Sequence, residues 1–574
     1  MPLNIERRTI NPDIELPDAI HPVLRRVYAA RDIHSADELD YSLKSLLPFD
    51  GLKGIDTATA LLAEAVEQTQ RILIVADFDT DGATSCALAM RGLAAMGAGD
   101  ACYVVPNRFE YGYGLSPEIV EVAAGYSPEL LITVDNGISS VEGVTLAREK
   151  EMRVLITDHH LAGEKLPPAD AIVNPNQPGD AFASKSLAGV GVMFYILVAL
   201  RSRLRDTGWF DSQGIAEPNL AELLDLVALG TVADVVPLDH NNRILVAQGM
   251  ARIRAGRCCP GILALLKFAN RSMRAVSAQD LAFAVAPRLN AAGRLTDMSL
   301  GIECLLSDDV QDAAGMARQL DGLNRERRVI QEEMHEQALA DIGELDLDID
   351  NPPAGVCLFN ADWHQGVIGI LASKIKDKLN RPVIVFAPDG ENTIKGSARS
   401  ISGVHIRDVL DTIASRHPDV IEKFGGHAMA AGLTLNAGNF DRFATLFNET
   451  IDFLLGENMP DDTVFSDGEL TPEEIDFRLA SMIVDAGPWG QGFPEPVFDG
   501  EFDIVSRRIV GQNHLKLQLQ CKGHDRKLDA IAFNVTDEGW PASTTTVKTI
   551  YKLDINEYAG RRQLQLVVDY IVPS

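Results

Sequence analysis

The sequence predicts an α/β protein: a parallel-sheet lobe, a second and smaller α/β lobe joined to it by a long helix, and a C-terminal β-barrel module of the OB type. Three observations predict it. Short β-branched apolar runs recur in the first 250 positions, each ending in acidic or imidazole residues and separated by helix-compatible stretches. A helical pattern runs from Asp312 to Ala340. Polar and apolar residues alternate densely over residues 490–574. A chain of 574 residues is too long for one core, and roughly three or four domains are expected.

In chain order, residues 1–50 form an N-terminal segment with helix-like pieces at Pro22–Arg31 and Ser35–Leu46. Residues 51–250 carry the repeated strand signal. The run Ile72–Ala76 leads into Asp77, Asp79 and Asp81 and then a Gly-Ala-Thr-Ser helix start. Leu130–Val134 leads into Asp135-Asn136-Gly137, and Val154–Thr157 into Asp158-His159-His160. Helix-compatible residues such as Ser140–Lys150 lie between them, which is the spacing of a parallel sheet whose strand ends meet at one crevice. A fourth segment, 223–243, sets Asp234 in a Val-Ala-Asp-Val-Val run, where an unpaired carboxylate is costly.

Carboxylates this crowded repel one another unless cations neutralise them. Oxygen ligands suit hard divalent ions, and imidazole beside them favours Mn²⁺, with Mg²⁺ as the alternative. Asp77, Asp79, Asp81, Asp135, His159 and Asp234 exceed what one ion needs, so two divalent cations are expected.

Residues 201–219 read as a polar surface insertion. Residues 251–343 combine a basic region with the long helix, whose apolar stripe is Leu320, Leu323, Ile330, Met334 and Ala338. A break at 344–355 opens the second lobe, 354–455, with strands at 356–360 and 382–387 and a helix at Val367–Lys378. Gly425-Gly426-His427-Ala428 allows close backbone approach to an anion, and Lys395, Ser397 and Arg399 favour that reading over a plain tight turn. An acidic connector and the barrel fill 456–574. Strand-like runs fall at 515–520, 530–535, 548–558 and 563–572, and Phe533, Tyr551 and Tyr558 serve either as base-stacking groups or as barrel core.

Composition excludes several classes. Apolar content of 46% and a mean hydropathy near zero describe a soluble globular chain. There is neither an eighteen-residue apolar run nor a signal-like N-terminus, so no membrane contact is expected. Seven scattered cysteines without a CxxC pair point to reduced thiols in the cytoplasm. A net charge of −30 opposes binding to nucleic acid at long range. Its distribution answers the objection: residues 251–294 hold eight Lys/Arg against one acid, and residues 504–562 ten against six. Residues 456–503 hold thirteen acids against one base.

DFDTDGATS, VDNG, TDHH and GTVADVVPLDH resemble, in order, the metal motifs of the DHH phosphoesterase family, and in particular its single-strand-specific exonucleases. PNRFEYGYGLS (106–116), PRLNAAGRLTDMSLG (287–301), WHQGVIGILASK (363–374), KGSARS (395–400) and KFGGHAMAAG (423–432) look like that branch's substrate-binding segments. The resemblance spans nearly the whole chain. It implies processive 5′→3′ release of 5′-mononucleotides from single-stranded DNA, in repair and recombination. It also implies that Arg108, Ser397, Arg399, Gly425, Gly426 and His427 bind the terminal phosphate and that Arg288, Asn290 and Arg294 line the strand's path. A single-strand-binding protein and a helicase are the partners it suggests.

On this reading the ions activate a water for in-line attack on phosphorus. His159 is assigned as metal ligand and His160 as the group that contacts the scissile phosphate or protonates the leaving oxygen, an assignment the adjacent pair could exchange. Asp158 and Asp135 join His160 as catalytic residues. Tyr111 departs from the family pattern, where an acid is common. Two alternatives stand beside this one: a phosphoesterase for short oligonucleotides or cyclic dinucleotides, and a non-catalytic single-strand-binding scaffold.

Overall fold

The chain opens with a short strand, β1 (Asn4–Arg7), a helix at Pro22–Ala29 and two 3-10 turns at Ala36–Leu39 and Leu43–Ser45. The longer helix expected over Ser35–Leu46 does not form. Asp40 takes the Ser42 N–H at 3.0 Å and lies 3.1 Å from the Ser45 hydroxyl, a local side-chain bonding pattern that competes with helix. The computed structural model describes every residue except 1–3, 12–13, 15, 107–113, 164, 345–352, 402, 456–462, 512, 537–539, 541–543, 559–560 and 574. Two compact units result: residues 1–293, 297–318 and 463–574 make one, and residues 294–296 and 319–462 the other.

The first unit is built on β2 (Ile72–Ala76), β3 (Ala101–Val104), β4 (Leu130–Val134), β5 (Arg153–Thr157) and β6 (Ala171–Val173), all parallel, in the order β3-β2-β4-β5-β6. β2 and β4 are buried along their whole length, as uniformly apolar strands must be. The chain runs outward from β2 to β3 and then crosses back to β4. The gap between β2 and β4 is therefore the point where strand order reverses, and the crevice beyond the carboxyl ends there is where such sheets bind ligands. Residues 201–219, expected as a polar insertion, are largely helical: one helix runs Gly189–Asp206 and another Trp209–Gln213. Phe210 is buried and Trp209 Nε1 donates to Met96 O at 2.9 Å, tertiary contacts that local polarity does not reveal.

The long helix runs Val310–Glu344, and its Met334 and Ala338 are buried in the second unit with Trp363, Val367 and Leu371. That unit holds β7 (Val356–Phe359), β8 (Val383–Pro388), β9 (Thr393–Arg399), β10 (Lys423–Gly426) and β11 (Ala430–Asn436), ordered β10-β11-β9-β8-β7. Only β7 and β8 pair in parallel.

β12 (Thr463–Ser466) returns to pair with β1. Asp467, at the start of what composition marked as an acidic connector, is buried against Arg31 at 2.7 Å. The last five strands, β13 (Phe498–Val510), β14 (His514–Cys521), β15 (Lys527–Ala532), β16 (Thr546–Tyr558) and β17 (Arg561–Pro573), close into a barrel in the order β13-β14-β15-β17-β16. Tyr551 is part of its core, with Phe498 and Phe502 around the ring, whereas Phe533 is exposed.

Candidate functional site

The strand register builds the site. Ala76 pairs with Val134, Val134 with Thr157, and Thr157 with Val173, so the last residues of β2, β4, β5 and β6 form one row. The next residue on each strand is Asp77, Asp135, Asp158 or Asn174, and three main-chain bonds continue the ladder to them: Asp77 N to Val134 O (3.3 Å), Asp135 N to Thr157 O (3.0 Å) and Asp158 N to Val173 O (3.2 Å). A single polar rank therefore crowns the sheet at its ligand-binding edge. Asn136 locks the reversal point, its Nδ2 donating to Val75 O (3.1 Å) and Val134 O (2.9 Å).

Beyond Asp77 the chain turns into the helix Thr80–Ala95. Asp79 caps it, accepting the Gly82 N–H at 3.1 Å. Any larger residue at 82 would place a Cβ 2.5 Å from Asp77 O, which explains the glycine. Asp81 points inward and accepts two N–H groups from the start of the helix Gly189–Asp206, Gly189 at 2.6 Å and Val190 at 3.0 Å, where the helix dipole favours negative charge. Thr80 is held from the other side: its N–H donates to Asn290 Oδ1 at 2.8 Å, and its hydroxyl lies 2.8 Å from that oxygen and 3.1 Å from Ala286 O.

The carboxylates converge. Asp77, Asp79 and Asp135 bring ligand atoms within 4.8 Å of one another, as do Asp81, His159 and Asp234, and also Asp135, His159 and His160. His159 Nε2 lies 3.1 Å from Asp135 Oδ1, 3.4 Å from Asp234 Oδ2 and 4.0 Å from Asp81 Oδ2. Every ligand expected from sequence thus falls in one cluster, with His160 at its edge. Asp135 Oδ1 is buried with no hydrogen-bond partner beyond the His159 ring nitrogen 3.1 Å away. Oxygen donors with one or two imidazoles, arranged in two adjacent sets that Asp135, His159 and His160 link, fit a pair of Mn²⁺ or Mg²⁺ ions.

Electrostatics agree. Burial, then the charge of Asp79, pushes Asp81 up to about 7. Burial followed by the neighbouring carboxylates drives Asp135 and Asp234 well above the ordinary range. Asp158 behaves oppositely. Burial alone would raise it, but the His160 ring at 2.7 Å, the other imidazole and the Ile138 N–H at 2.9 Å hold it below its usual value. Burial alone would lower His160, yet the hydrogen bond and charge of Asp158 together draw it up to about 9. Asp158 also accepts the main-chain N–H of His159 (2.7 Å) and of His160 (3.1 Å), which makes it an orienting group for the pair.

Sequence reasoning missed two residues. Asn176 Nδ2 donates to His159 O at 2.6 Å, and Asn174 Nδ2 to His160 O at 2.9 Å. The signal was the Asn-Pro-Asn run directly after a short apolar strand. Three other predicted residues make hydrogen bonds within the protein. Arg288 is buried and donates to the carbonyls of Ala284 and Phe268. Asn290 holds Thr80, and Arg294 Nη1 donates to Gly366 O at 3.2 Å. Asn290 thus braces the metal-bearing turn, while Arg288 is anchored to neighbouring helix carbonyls. Arg108 and Tyr111 lie outside the described residues.

The second unit assembles the remaining candidates. Lys395, Ser397 and Arg399 occupy alternate, half-buried positions of β9 and so share one face. Arg399 Nη1 donates to Ser397 Oγ at 3.1 Å and to Ala398 O at 2.8 Å. A Cβ on Gly369, in the first turn of the helix Ile368–Leu379, would lie 2.9 Å from both Arg399 Nη2 and Ser397 Oγ. The pair therefore abuts a helix N-terminus, a setting suited to phosphate. Across the sheet Ser397 faces Gly432, which faces Gly425, and no side chain covers the backbone beside the serine. Gly426 has φ +147° and a Cβ there would meet Ala431 Cα at 2.4 Å, so only glycine fits. His427 closes the turn, its N–H donating to Ala430 O at 2.8 Å.

Comparison with known proteins gives the same outline. Residues 71–231 match the DHH family, N-terminal domain; residues 352–452 match the DHHA1 domain; and residues 466–570 match the RecJ OB domain. The single-stranded-DNA-specific exonuclease RecJ of Escherichia coli K12 is 51% identical over 572 residues, covering 100% of this chain and 99% of its own. Its counterpart in Thermus thermophilus is 34% identical over 487 residues, 83% of this chain and 66% of that one. The crystal structure of RecJ from Thermus thermophilus in complex with Mn²⁺ superposes with a TM-score of 0.79 at 30% identity, covering 97% of this chain and 76% of that chain. The complex with Mg²⁺ gives 0.73 at 28% identity, covering 96% and 75%.

Proposed function

This chain belongs to the RecJ family of single-stranded-DNA-specific exonucleases, and on that premise we propose that it shortens single-stranded DNA from the 5′ end, releasing 5′-mononucleotides by metal-dependent phosphodiester hydrolysis. The observation that carries this reading is the rim itself: Asp77, Asp135 and Asp158 in one register row, with Asp79, Asp81, His159 and Asp234 closing on it.

Asp77, Asp79 and Asp135 would hold one divalent ion and Asp81, His159 and Asp234 the other, with Asp135 beside both sets. When bound, the two ions lower the pKa of water and offset charge developing on the phosphorus oxygens. The chain's own residues do the rest. Asp158 fixes the His160 ring through Nδ1 and favours its protonated form, so the imidazolium can donate a hydrogen bond to the phosphate or a proton to the leaving oxygen. Asn174 and Asn176 hold the two histidine carbonyls and so fix the backbone that carries both rings. Arg399, Ser397 and the glycine strip of β10 and β11 bind the 5′-terminal phosphate.

A small substrate would give the closed C-terminal barrel no task, which favours a polymer. DNA repair and recombination in the cytoplasm are the setting of this reading, with a single-strand-binding protein and a helicase as partners. Co-purification from cells on the tagged chain tests those two.

The direct assay uses Mn²⁺ and 3′-labelled, 5′-phosphorylated single-stranded DNA beside the same duplex and a cyclic dinucleotide. Progressive shortening of the single strand alone is expected. Cleavage of the dinucleotide with an inert long strand would select the small-substrate enzyme, and no cleavage would select a scaffold.

A further inference from the structure

The residue that follows Asp234 is in a costly conformation. Asp234 ends the helix Leu224–Ala233, and Val235 takes φ +58°. That left-handed position after a helix normally falls to glycine or asparagine, and a β-branched residue there is strained. Strain kept at such a point signals that the side chain itself is wanted. Val235 is half exposed. It lines an open groove together with Leu238, Ala282, Phe283 and Trp489, and no charged side chain is among the lining residues.

The facing wall has its own irregularity. Residues Leu281–Val285 form a π-helical turn, a rare element that recurs at functional sites. It leaves Phe283 at 68% exposure. An aromatic ring that open, on a short helical run otherwise buried at Leu281, Ala284 and Val285, has no packing role to explain it. The same run continues into Ala286 and Asn290, both of which hold Thr80 in the metal-bearing turn. The groove residues thus neighbour the metal-bearing segments along the chain: Val235 follows Asp234 directly, and the run of Phe283 continues to the residues that hold Thr80.

We propose that this groove receives a nucleobase of the strand whose phosphate is being cut, stacked on Phe283 and bounded by Val235. The inference rests on the nuclease reading above. An uncharged groove with an exposed aromatic ring suits a flat heterocycle, and stacking accepts all four bases, as an enzyme that digests any sequence requires. Phe283 and Val235 are thus positioning residues for the strand at the centre.

The test is a cycle between protein and substrate. Wild type and Phe283→Ala are assayed with Mn²⁺ on 5′-phosphorylated oligonucleotides that are intact or carry one abasic residue at the first, second or third position. In wild type one abasic placement is expected to lower kcat/KM for the first cleavage about tenfold. Phe283→Ala should show a similar loss on the intact strand and no further loss at that placement, and Phe283→Trp should restore the activity. Val235→Gly removes the wall while relieving the strained backbone. It should keep or raise the thermal midpoint and still lose activity on intact strands, and it carries the test if Phe283→Ala fails to fold. Equal losses on intact and abasic strands, or none in either variant, overturn the proposal while leaving the nuclease in place. A wild type that cuts no strand overturns the nuclease reading and this inference with it.

Discussion

The two α/β units use their sheets for opposite electrical purposes. In the first, strand ends carry carboxylates: β2, β4 and β5 each finish on an aspartate, and Asp79, Asp81 and Asp234 come in from helix ends. In the second, the site lies on a strand face. Ser397 and Arg399 project from β9 beside a helix N-terminus, and glycines strip the neighbouring strands bare. The first arrangement is unstable by itself, since burial and mutual repulsion push Asp81, Asp135 and Asp234 toward protonation. The second has the reverse imbalance: burial lowers the Arg399 guanidinium from its usual value. One site lacks positive charge and the other negative. A metal-dependent enzyme acting on a terminal phosphate supplies both.

The largest expected effect removes the cation side. Asp135→Asn should cut hydrolysis about 10³-fold or more while single-strand binding stays near wild type, because the residue adjoins both ligand sets. Equal loss of cleavage and binding would count against a metal role. On the anion side, Arg399→Ala should lower kcat/KM by about 10- to 100-fold for 5′-phosphorylated strands. Strands with a 5′-hydroxyl should be nearly indifferent, and a uniform loss on both would remove the terminal phosphate from this pocket.

A smaller change sharpens the first site without touching a ligand. Asn176→Ala frees the His159 carbonyl and should cost about tenfold in activity, with KM for the strand little altered. The smallest effect is on stability. Because the folded-state pKa of Asp81 lies near 7, above the usual carboxylate value, the folded protein binds more protons than the unfolded chain between about pH 4 and 7. Chelated protein should therefore lose stability as pH rises through that window, seen as a falling thermal midpoint. Mn²⁺ should reverse the trend by binding the ionised cluster. A midpoint that rises with pH in chelator would contradict the assigned repulsion.

Much of this was legible because the informative signals are local. An all-apolar strand ending in Asp77, Asp135 or Asp158 advertises both burial and rim position within six residues, and the alternating runs of 515–520 and 563–572 state their period directly. What sequence concealed depends on distant partners. Asn174 and Asn176 read as turn residues until β6 places them in the row beside Asp158. Asn290 carries a polar end whose bond to Thr80 a sequence cannot show, and Arg288 one whose bonds to the carbonyls of Ala284 and Phe268 are equally hidden. Trp209 and Phe210 sit in a polar stretch, and only Met96 O and the surrounding core show that the segment is helical. Tyr551 and Phe533 are alike as sequence, yet one fills the barrel and the other faces outward.

The central claim is that this rim would hold two divalent ions close together, with Asp135 beside both ligand sets. Electron paramagnetic resonance of the protein titrated with Mn²⁺, alongside calorimetric stoichiometry, tests it directly. Two ions per chain with a spin-coupled spectrum are predicted, and Asp135→Asn should uncouple them or lose one. A single ion, or two that are magnetically independent in the wild type, would contradict the account.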